Sequence, residues 1–512
     1  MKKIILIVDV IILIITSNTF SQNTFKKVYT DFNVAFELNN FICKPLNNDK
    51  SFLISGISGS NVTLIKINSI GNLVSNKQFG YLGHYCNFLY NDNKILTLYS
   101  NYGNNKDLVK IDTSFNVISA MQYDSIYWWQ AIKSNVICRT FNNGFLLSGG
   151  KGISMPVIIN TDSLHNVLWG KYFTPIQGGI KDIIQTQDSG FVIAANLKNA
   201  TASLIKTDKN GNALWAKSYF RPNGYIHNVL ENTNGTMIIT GNIDSSDASS
   251  PLFFVKLNQS GNIIWAKTFG NTVNNIRNYA SYTKHTQDGG YITLTTLAKN
   301  LDDLLLIKTD SSGDTLWVRA HGSPQSLEYG QSVEQLNDKG YIISGITNNH
   351  IPVTLSSLYI VRTDSLGHTD SLCEEYNPPL AINNITINDS NITITSVPFT
   401  VHTSVANTST SSFTTYAYDG CHLDDIPELI AEQTTPLIIY PNPSEGWFTV
   451  EYNTNTPIKT EIEIYNINSE KVYSGFTDEI LTSINLTGNA RGLYFVRMSN
   501  KRWVKTGKVM IY

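Results

Sequence analysis

The chain has 512 residues, a formal net charge of −2, and only 15% charged against 11% aromatic residues. Near-neutral charge excludes the basic field that nucleic acid or an anionic membrane surface would need. Abundant Asn, Thr, Ser and Tyr favour pleated sheets joined by polar turns over helices, so an all-β protein is expected.

At the N-terminus, Lys2 and Lys3 precede the apolar run Val10 to Ile15, and small Thr19 and Ser21 follow it. This pattern predicts a signal peptide over residues 1–21, cleaved before Gln22. Export is therefore expected, and no later stretch reaches transmembrane length. The five cysteines, Cys43, Cys86, Cys138, Cys373 and Cys421, contain no CxxC pair, which argues against a zinc knuckle or a thioredoxin-type site. Cys373 and Cys421 flank one segment and are candidates for a disulfide in an oxidising compartment.

From Thr24 onward the chain repeats itself. The stretch LIKTDKNGNALWAKSYF from Leu204 returns as VIINTDSLHNVLWGKYF from Val157, FVKLNQSGNIIWAKTFG from Phe254 and LIKTDSSGDTLWVRAHG from Leu306. Asn68, Asp112, Asp162, Asp208, Asn258, Asp310 and Asp364 each end the first apolar run, spaced about 44 to 54 residues apart, a period typical of propeller blades. Upstream of each anchor lies another strand-like run, such as GFVIAAN from Gly190 or GYIISGI from Gly340, bounded by turn residues. The pattern predicts four strands per repeat and a seven-bladed β-propeller over residues 22–373, with six or eight blades as alternatives. One amphipathic Trp at the same place in successive repeats suits the space between neighbouring sheets. The seventh repeat lacks its Trp-bearing run, and TFKKVYT from Thr24 aligns with that missing strand. It is expected to pair with the last blade and so cover two sheet edges.

Residues 374–421 read as a β-hairpin extension, as in AINNITINDSNITITSV from Ala381. Residues 422–436 are acidic, Pro-bearing and without strand alternation, which predicts a linker. Over 437–512, EIEIYNI and GLYFVRM alternate in period two between polar turns, predicting a small Ig-like antiparallel sandwich of about seven strands.

Three features of that last piece occur in order: Tyr440, Pro441, Asn442, Pro443 and Ser444 before Gly446; a middle run ending in a Gly-type turn; and Gly492, Tyr494 and Val496 before Lys505 and Lys508. With them the C-terminal piece resembles the type IX secretion C-terminal sorting domain (type A) of Bacteroidetes proteins. The resemblance implies that the domain engages the type IX secretion machinery, and that the cargo is secreted or displayed on the outer-membrane cell surface. The final Met510, Ile511 and Tyr512 depart from the basic ending of many members. The upstream repeats are similar to the DGGYI…IKTDSNGNxLW repeats of surface proteins in that export class, which bears on fold rather than activity.

Local catalytic motifs are missing: the sequence has no HExxH, GxSxG, P-loop or GxGxxG. Asp208-Lys-Asn-Gly-Asn and Asp310-Ser-Ser-Gly-Asp imitate calcium-loop spacing but lack a closing bidentate Glu, so turn chemistry accounts for them. No cofactor, metal or catalytic residue is expected. The segments leading from one repeat into the next carry Tyr85, Trp128, Trp129, Arg221, Tyr225, His227, Arg277, Tyr279, Glu328 and Tyr329. On a radial arrangement they share one rim, where aromatic and Arg side chains grip a glycan or a protein; the bland alternative is that they fill gaps between blades. The reading is an exported, non-enzymatic binding module. Its rivals are a polysaccharide-active hydrolase or lyase, which needs a second acid beside Glu328, and a cell-surface scaffold.

Overall fold

The computed structural model describes residues 24–30, 42–46, 49–58, 61–80, 86–90, 96–102, 105–123, 136–151, 155–198, 201–220, 224–243, 250–270, 275–276, 282–298, 302–322, 326–348, 356–369, 375–406, 409–411, 416–419, 437–451, 460–467, 470–479, 481–499 and 504–512. Among these residues every regular element is a strand, and the strands form nine sheets. Cys373 and Cys421 lie outside the described residues, while Cys43 and Cys138 are free thiols.

Seven sheets succeed one another along the repeats: residues 42–80 (sheet 1), 86–123 (sheet 2), 137–174 (sheet 3), 178–219 (sheet 4), 224–269 (sheet 5), 275–321 (sheet 6) and 327–363 (sheet 7). Within each, strands pair antiparallel in chain order, except that in sheet 6 the first strand is split into Asn275–Ile276 and Tyr282–His285, both paired with Tyr291–Ala298, and sheet 7 borrows its fourth strand from the N-terminus. Phe25–Thr30 pairs with Ser357–Thr363, Val28 opposite Tyr359. The apolar cores lie between sheets. Val255 and Tyr219 share one core between sheets 4 and 5, Leu305 and Phe254 another between 5 and 6, and Tyr359 and Leu294 another between 6 and 7. Phe52 of sheet 1 packs with Ile360 of sheet 7 and Tyr29 of the N-terminal strand, so the succession returns to its start.

The repeated letters are the contacts between one sheet and the next. In the turn of sheet 4, Asp208 Oδ1 accepts the N–H groups of Asn210 (2.9 Å) and Asn212 (2.8 Å), which spends the carboxylate on its own hairpin. Gly211 holds φ +74°, and a Cβ there would stand 2.6 Å from the ring of Trp169 in sheet 3; only glycine allows both. Trp215, Trp265 and Trp317 cover Gly261, Gly313 and Gly367 in the same way, and Phe25 covers Gly71. Two residues past the Trp, Lys171 reaches Asn212 Oδ1 (3.1 Å) and Lys267 reaches Asp314 Oδ1 (2.6 Å). Two further on, the Tyr219 hydroxyl donates to Gly261 O (2.8 Å) and that of Tyr123 to His165 O (2.8 Å), and Tyr29 donates likewise to Gly71 O.

Residues 375–419 do not form the hairpins expected of them. They run backwards around the sheets and give each an extra outer strand: Glu375–Tyr376 on sheet 6, Ile382–Asn384 on 5, Asp389–Asn391 on 4, Thr395–Pro398 on 3, Thr403–Val405 on 2, Ser409–Ser411 on 1 and Tyr416–Asp419 on the N-terminal strand of sheet 7. Between these strands the belt steps by seven residues. The N–H groups of Ile385, Ile392, Phe399 and Ala406 donate to Ala266 O (3.0 Å), Ala216 O (2.8 Å), Gly170 O (3.2 Å) and Ala120 O (3.2 Å). Ile385 and Ile387 pack on the core between sheets 4 and 5, and Ile392 and Ile394 on that between 3 and 4. The strand-like runs from Ala381 pair with the sheets rather than with each other, because an open fourth-strand edge offers partners that a lone hairpin lacks.

The C-terminal residues form a three-stranded and a four-stranded sheet around one core containing Phe448, Val450, Ile462, Tyr494 and Val509.

Candidate binding site

Alternating strand direction sets the turns between first and second strands, and between third and fourth, at one end of each sheet. The connections from sheet to sheet lie at the other end, the rim of the sequence reading. Of its residues, Tyr85, Trp128, Trp129, Arg221, Arg277 and Tyr279 lie outside the described residues. Tyr225, His227 and Tyr329 are half-buried on first strands. Glu328 is not a rim acid: it is 1% exposed, and its Oε1 accepts hydrogen bonds from the hydroxyls of Ser326 and Thr347 (3.1 Å for Thr347). Its side chain faces the adjacent second strand, where Thr347 is its register partner.

The first strands bring together a set of charged residues that the repeat does not contain. Glu334 sits one residue before the end of its strand, two before the turn that begins at Leu336. Lys284 and Lys44 hold the corresponding positions in sheets 6 and 1, opposite Ile292 and Leu53 as Glu334 is opposite Ile342. Lys44 Nζ pairs with Glu334 Oε1, and Lys284 Nζ lies 3.8 Å from the same oxygen. Corresponding positions in sheets 3, 4 and 5 hold Cys138, Ile184 and Leu230. Of these six described positions three are ionic and three apolar.

Burial pushes the Glu334 carboxyl up, but Lys44 and Lys284 outweigh it and hold the group below its ordinary value. Glu334 in turn raises Lys284 against burial, whereas burial wins at Lys44 and lowers it.

Two residues back, a second layer joins sheets directly. Asp182 Oδ2 accepts the N–H of Val229 (3.0 Å), Asn228 Oδ1 that of Thr283 (3.0 Å), and Ser332 Oγ that of Cys43 (3.0 Å). Each clamp follows a bulge, where the register skips Lys181, His227 or Gln331; such bulges re-aim a side chain. Burial and the nearby Lys181 ammonium hold the His227 imidazole down at about 4, against the opposing effect of Asn242 as a hydrogen-bond acceptor, so it is neutral. Single-sequence reading passes over these layers because Lys44, Lys284 and Glu334 are far apart in the chain and only strand register aligns them.

Among the described residues no group of three or more His, Cys, Asp or Glu side chains is placed to hold a metal ion. No described helix is long and apolar enough to cross a membrane.

In the C-terminal piece the first and last of the separated sequence features meet. Asn442 Nδ2 donates to Lys508 O (2.8 Å) and its Oδ1 accepts from Met510 N (3.0 Å). Ser444 N donates to Met510 O (2.8 Å) and Tyr512 N to Ser444 O (3.1 Å). Gly446, at φ +105°, passes so close to Thr487 that a Cβ would stand 2.9 Å from its backbone nitrogen. Gly492 opens the strand that pairs with the last one, where Lys505 is opposite Met498. Tyr494 is buried in the core, its hydroxyl donating to Ala490 O, while Tyr440 faces outward. This is the segment that a known family matches. Residues 438–512 are a secretion system C-terminal sorting domain. The sorting domain marks the chain for export to the cell surface or the medium by the type IX route, and makes that machinery its partner.

No curated protein matches the chain. Among solved structures it is similar to the AfRom2 CNH domain (8% identity, TM-score 0.37, covering 65% of this chain and 98% of that one). It is similar also to TolB from Acinetobacter baumannii (14%, TM-score 0.32, 56% and 63%). A third is an engineered GH43 glycoside hydrolase with endo-xylanase and exo-arabinofuranosidase activity (6%, TM-score 0.26, 71% and 99%). Likenesses this distant carry no argument about the fold or the site.

Proposed function

We propose that the chain is an exported recognition module. On this reading residues 1–21 are a signal peptide and 22–373 a seven-bladed β-propeller, bound by the belt that residues 375–419 form. A linker over 422–436 and an Ig-like sorting domain over 437–512 complete the chain. Seven successive cores, the last of them joining sheet 7 to sheet 1, support the blade count.

The module binds a glycan or a protein at the end that carries the sheet-to-sheet connections. The observation behind this is one of elimination: the turn at the opposite end spends its Asp, Gly and Asn on its own hairpin and on the neighbouring Trp and Lys. The outer edges are covered by the belt. Residues that break the repeat remain on the first strands and the connections, and adaptable connections on a rigid frame are where binding residues concentrate.

The test is a glycan array, followed by affinity capture of protein partners, with the full chain and a Trp128→Ala/Trp129→Ala variant of equal thermal stability. Binding that is lost in the variant supports the rim. Equal binding by both proteins, or turnover of a polysaccharide on the array, overturns it.

A further inference from the structure

The sorting domain turns one strongly apolar face to solvent. Its three-stranded sheet is built from Ile438–Tyr440, Trp447–Glu451 and Leu481–Asn485, in that order. Strand alternation sends Ile439, Phe448, Val450 and Ile484 towards the core and the residues between them outward. Register sets Ile438, Glu451 and Leu481 in one row across the sheet, then Tyr440, Thr449 and Ser483, then Trp447 and Asn485. On that face Ile438, Tyr440, Trp447 and Leu481 are 55%, 42%, 58% and 51% exposed. The strands do not require this, because Thr suits the wet side of a sheet as well as Ile or Trp does.

The outward face of the four-stranded sheet is covered differently. There Phe495 lies under the Lys508 ammonium (5.7 Å) and Tyr465 under that of Lys471 (5.9 Å). Glu463 pairs with Lys471 and with Arg497 (2.6 Å for Arg497). Cations of the domain itself thus screen its rings on that side. On the three-stranded face the strands contribute a single charged residue among the described ones, Glu451, and the Tyr440 hydroxyl donates to it.

We propose that the face of Ile438, Tyr440, Trp447 and Leu481 is the surface by which the type IX machinery holds this domain, against an apolar, charge-poor protein surface of its own. The machinery is the domain's partner, and the family match begins at Ile438 and contains all three strands. Exposed apolar patches of this kind mark interaction sites on soluble proteins, and Trp447 and Tyr440 are residue types that anchor them. Size argues against a second copy of the chain as the occupant. Three strands about 4.8 Å apart and about five residues long cover on the order of 250 Å². A stable interface takes roughly 800 Å² from each partner. So small a face suits a hold that has to end before the chain can leave the machinery. The propeller rim has no part in it, so binding of a glycan or protein there neither supports nor weakens this assignment.

The experiment follows the full chain in the producing cell as wild type, as Ile438→Thr/Trp447→Thr/Leu481→Thr and, on the other outward face, as Phe476→Thr/Phe495→Thr. Export is read as the share of the chain open to added protease or found in the medium, and the thermal midpoint of each purified chain checks the fold. With an unchanged midpoint, the triple variant should be exported about fivefold less or worse, as loss of the anchors of a small patch predicts. The double variant should be exported like wild type. Equal export of all three proteins, or an equal loss in both variants, overturns the proposal. So does a wild-type dimer in sedimentation that the triple variant loses, since a second copy would then be the occupant. Should the triple variant have a lower midpoint, Leu481→Lys, a charge on an edge strand, decides by the same export reading.

Discussion

The indole of Trp215 closes over Gly261: a Cβ on that glycine would meet the ring at 2.8 Å, and its φ is +75°. Replacing Gly261 with Ala therefore incurs a left-handed backbone penalty of about 1 kcal/mol together with crowding of about 1–3 kcal/mol. Urea denaturation should register a loss of about 2–4 kcal/mol. Gly289, with φ +80° and nothing within 4 Å of its Cβ position, should lose only the backbone part on the same change. Equal losses at the two sites would show that the Trp contact does not constrain the hairpin.

Buried neutral histidines set a pH limit on the fold. Burial holds His227 and His165 down at about 4 from an ordinary 6.5, with the nearby Lys181 and Lys110 adding to the effect. His321 is lowered by burial and by Lys26. A lowered folded-state value means the unfolded chain takes up protons first. The associated stability is complete above about 6.5 and is lost as pH falls towards 4, by roughly 3 kcal/mol for each of His227 and His165. The denaturation midpoint should drop through that window, and His165→Gln with His227→Gln should flatten the slope.

Removing the belt uncovers the fourth strands of the sheets. Ile392→Ala or Ile394→Ala should cost about 1–2 kcal/mol each, since both side chains are only partly buried on their core. A stop after residue 373 exposes unpaired strand edges and should give a protein that associates, read by light scattering. A monodisperse truncated protein would mean that the belt is dispensable for the edges.

Asn442 ties the first turn of the sorting domain to its last strand through Lys508 O and Met510 N. Asn442→Ala leaves both backbone groups without that partner and should lower the stability of this domain by about 1–2 kcal/mol. Surface display in the producing cell should fall with it. Unchanged display would separate recognition from this tie.

Much of the ring was legible because its residues repeat: the Asp, Gly, Trp, Lys and Tyr of each unit are contacts to the next, and period exposes them. The closing role of TFKKVYT followed from the same alignment, and Phe25 does stand on Gly71 as a Trp does on its own glycine. The sorting domain was legible through Tyr440 to Gly446. The belt was not, since period-two alternation in AINNITIN says strand without saying whose, and the partners lie on other sheets. Glu328 was misplaced because a charged residue near a loop suggests exposure, whereas Ser326 and Thr347 provide for it in the interior. The Lys44, Lys284 and Glu334 cluster escaped notice for want of any local motif.

The last stretch of the belt, Tyr416–Asp419, lies beside Phe25–Thr30, which itself lies beside Ser357–Thr363. Stacked repeats ordinarily gain stability unit by unit and can fray from either end. Here the beginning and the end of the unit are stitched to each other, so neither is an end from which to fray. The pairing also spans most of the ring's sequence, which makes folding slow in the manner of other nonlocal sheets. The sheets should then melt together in one transition, and nothing short of the complete segment from residue 25 to 419 should be able to begin holding its shape.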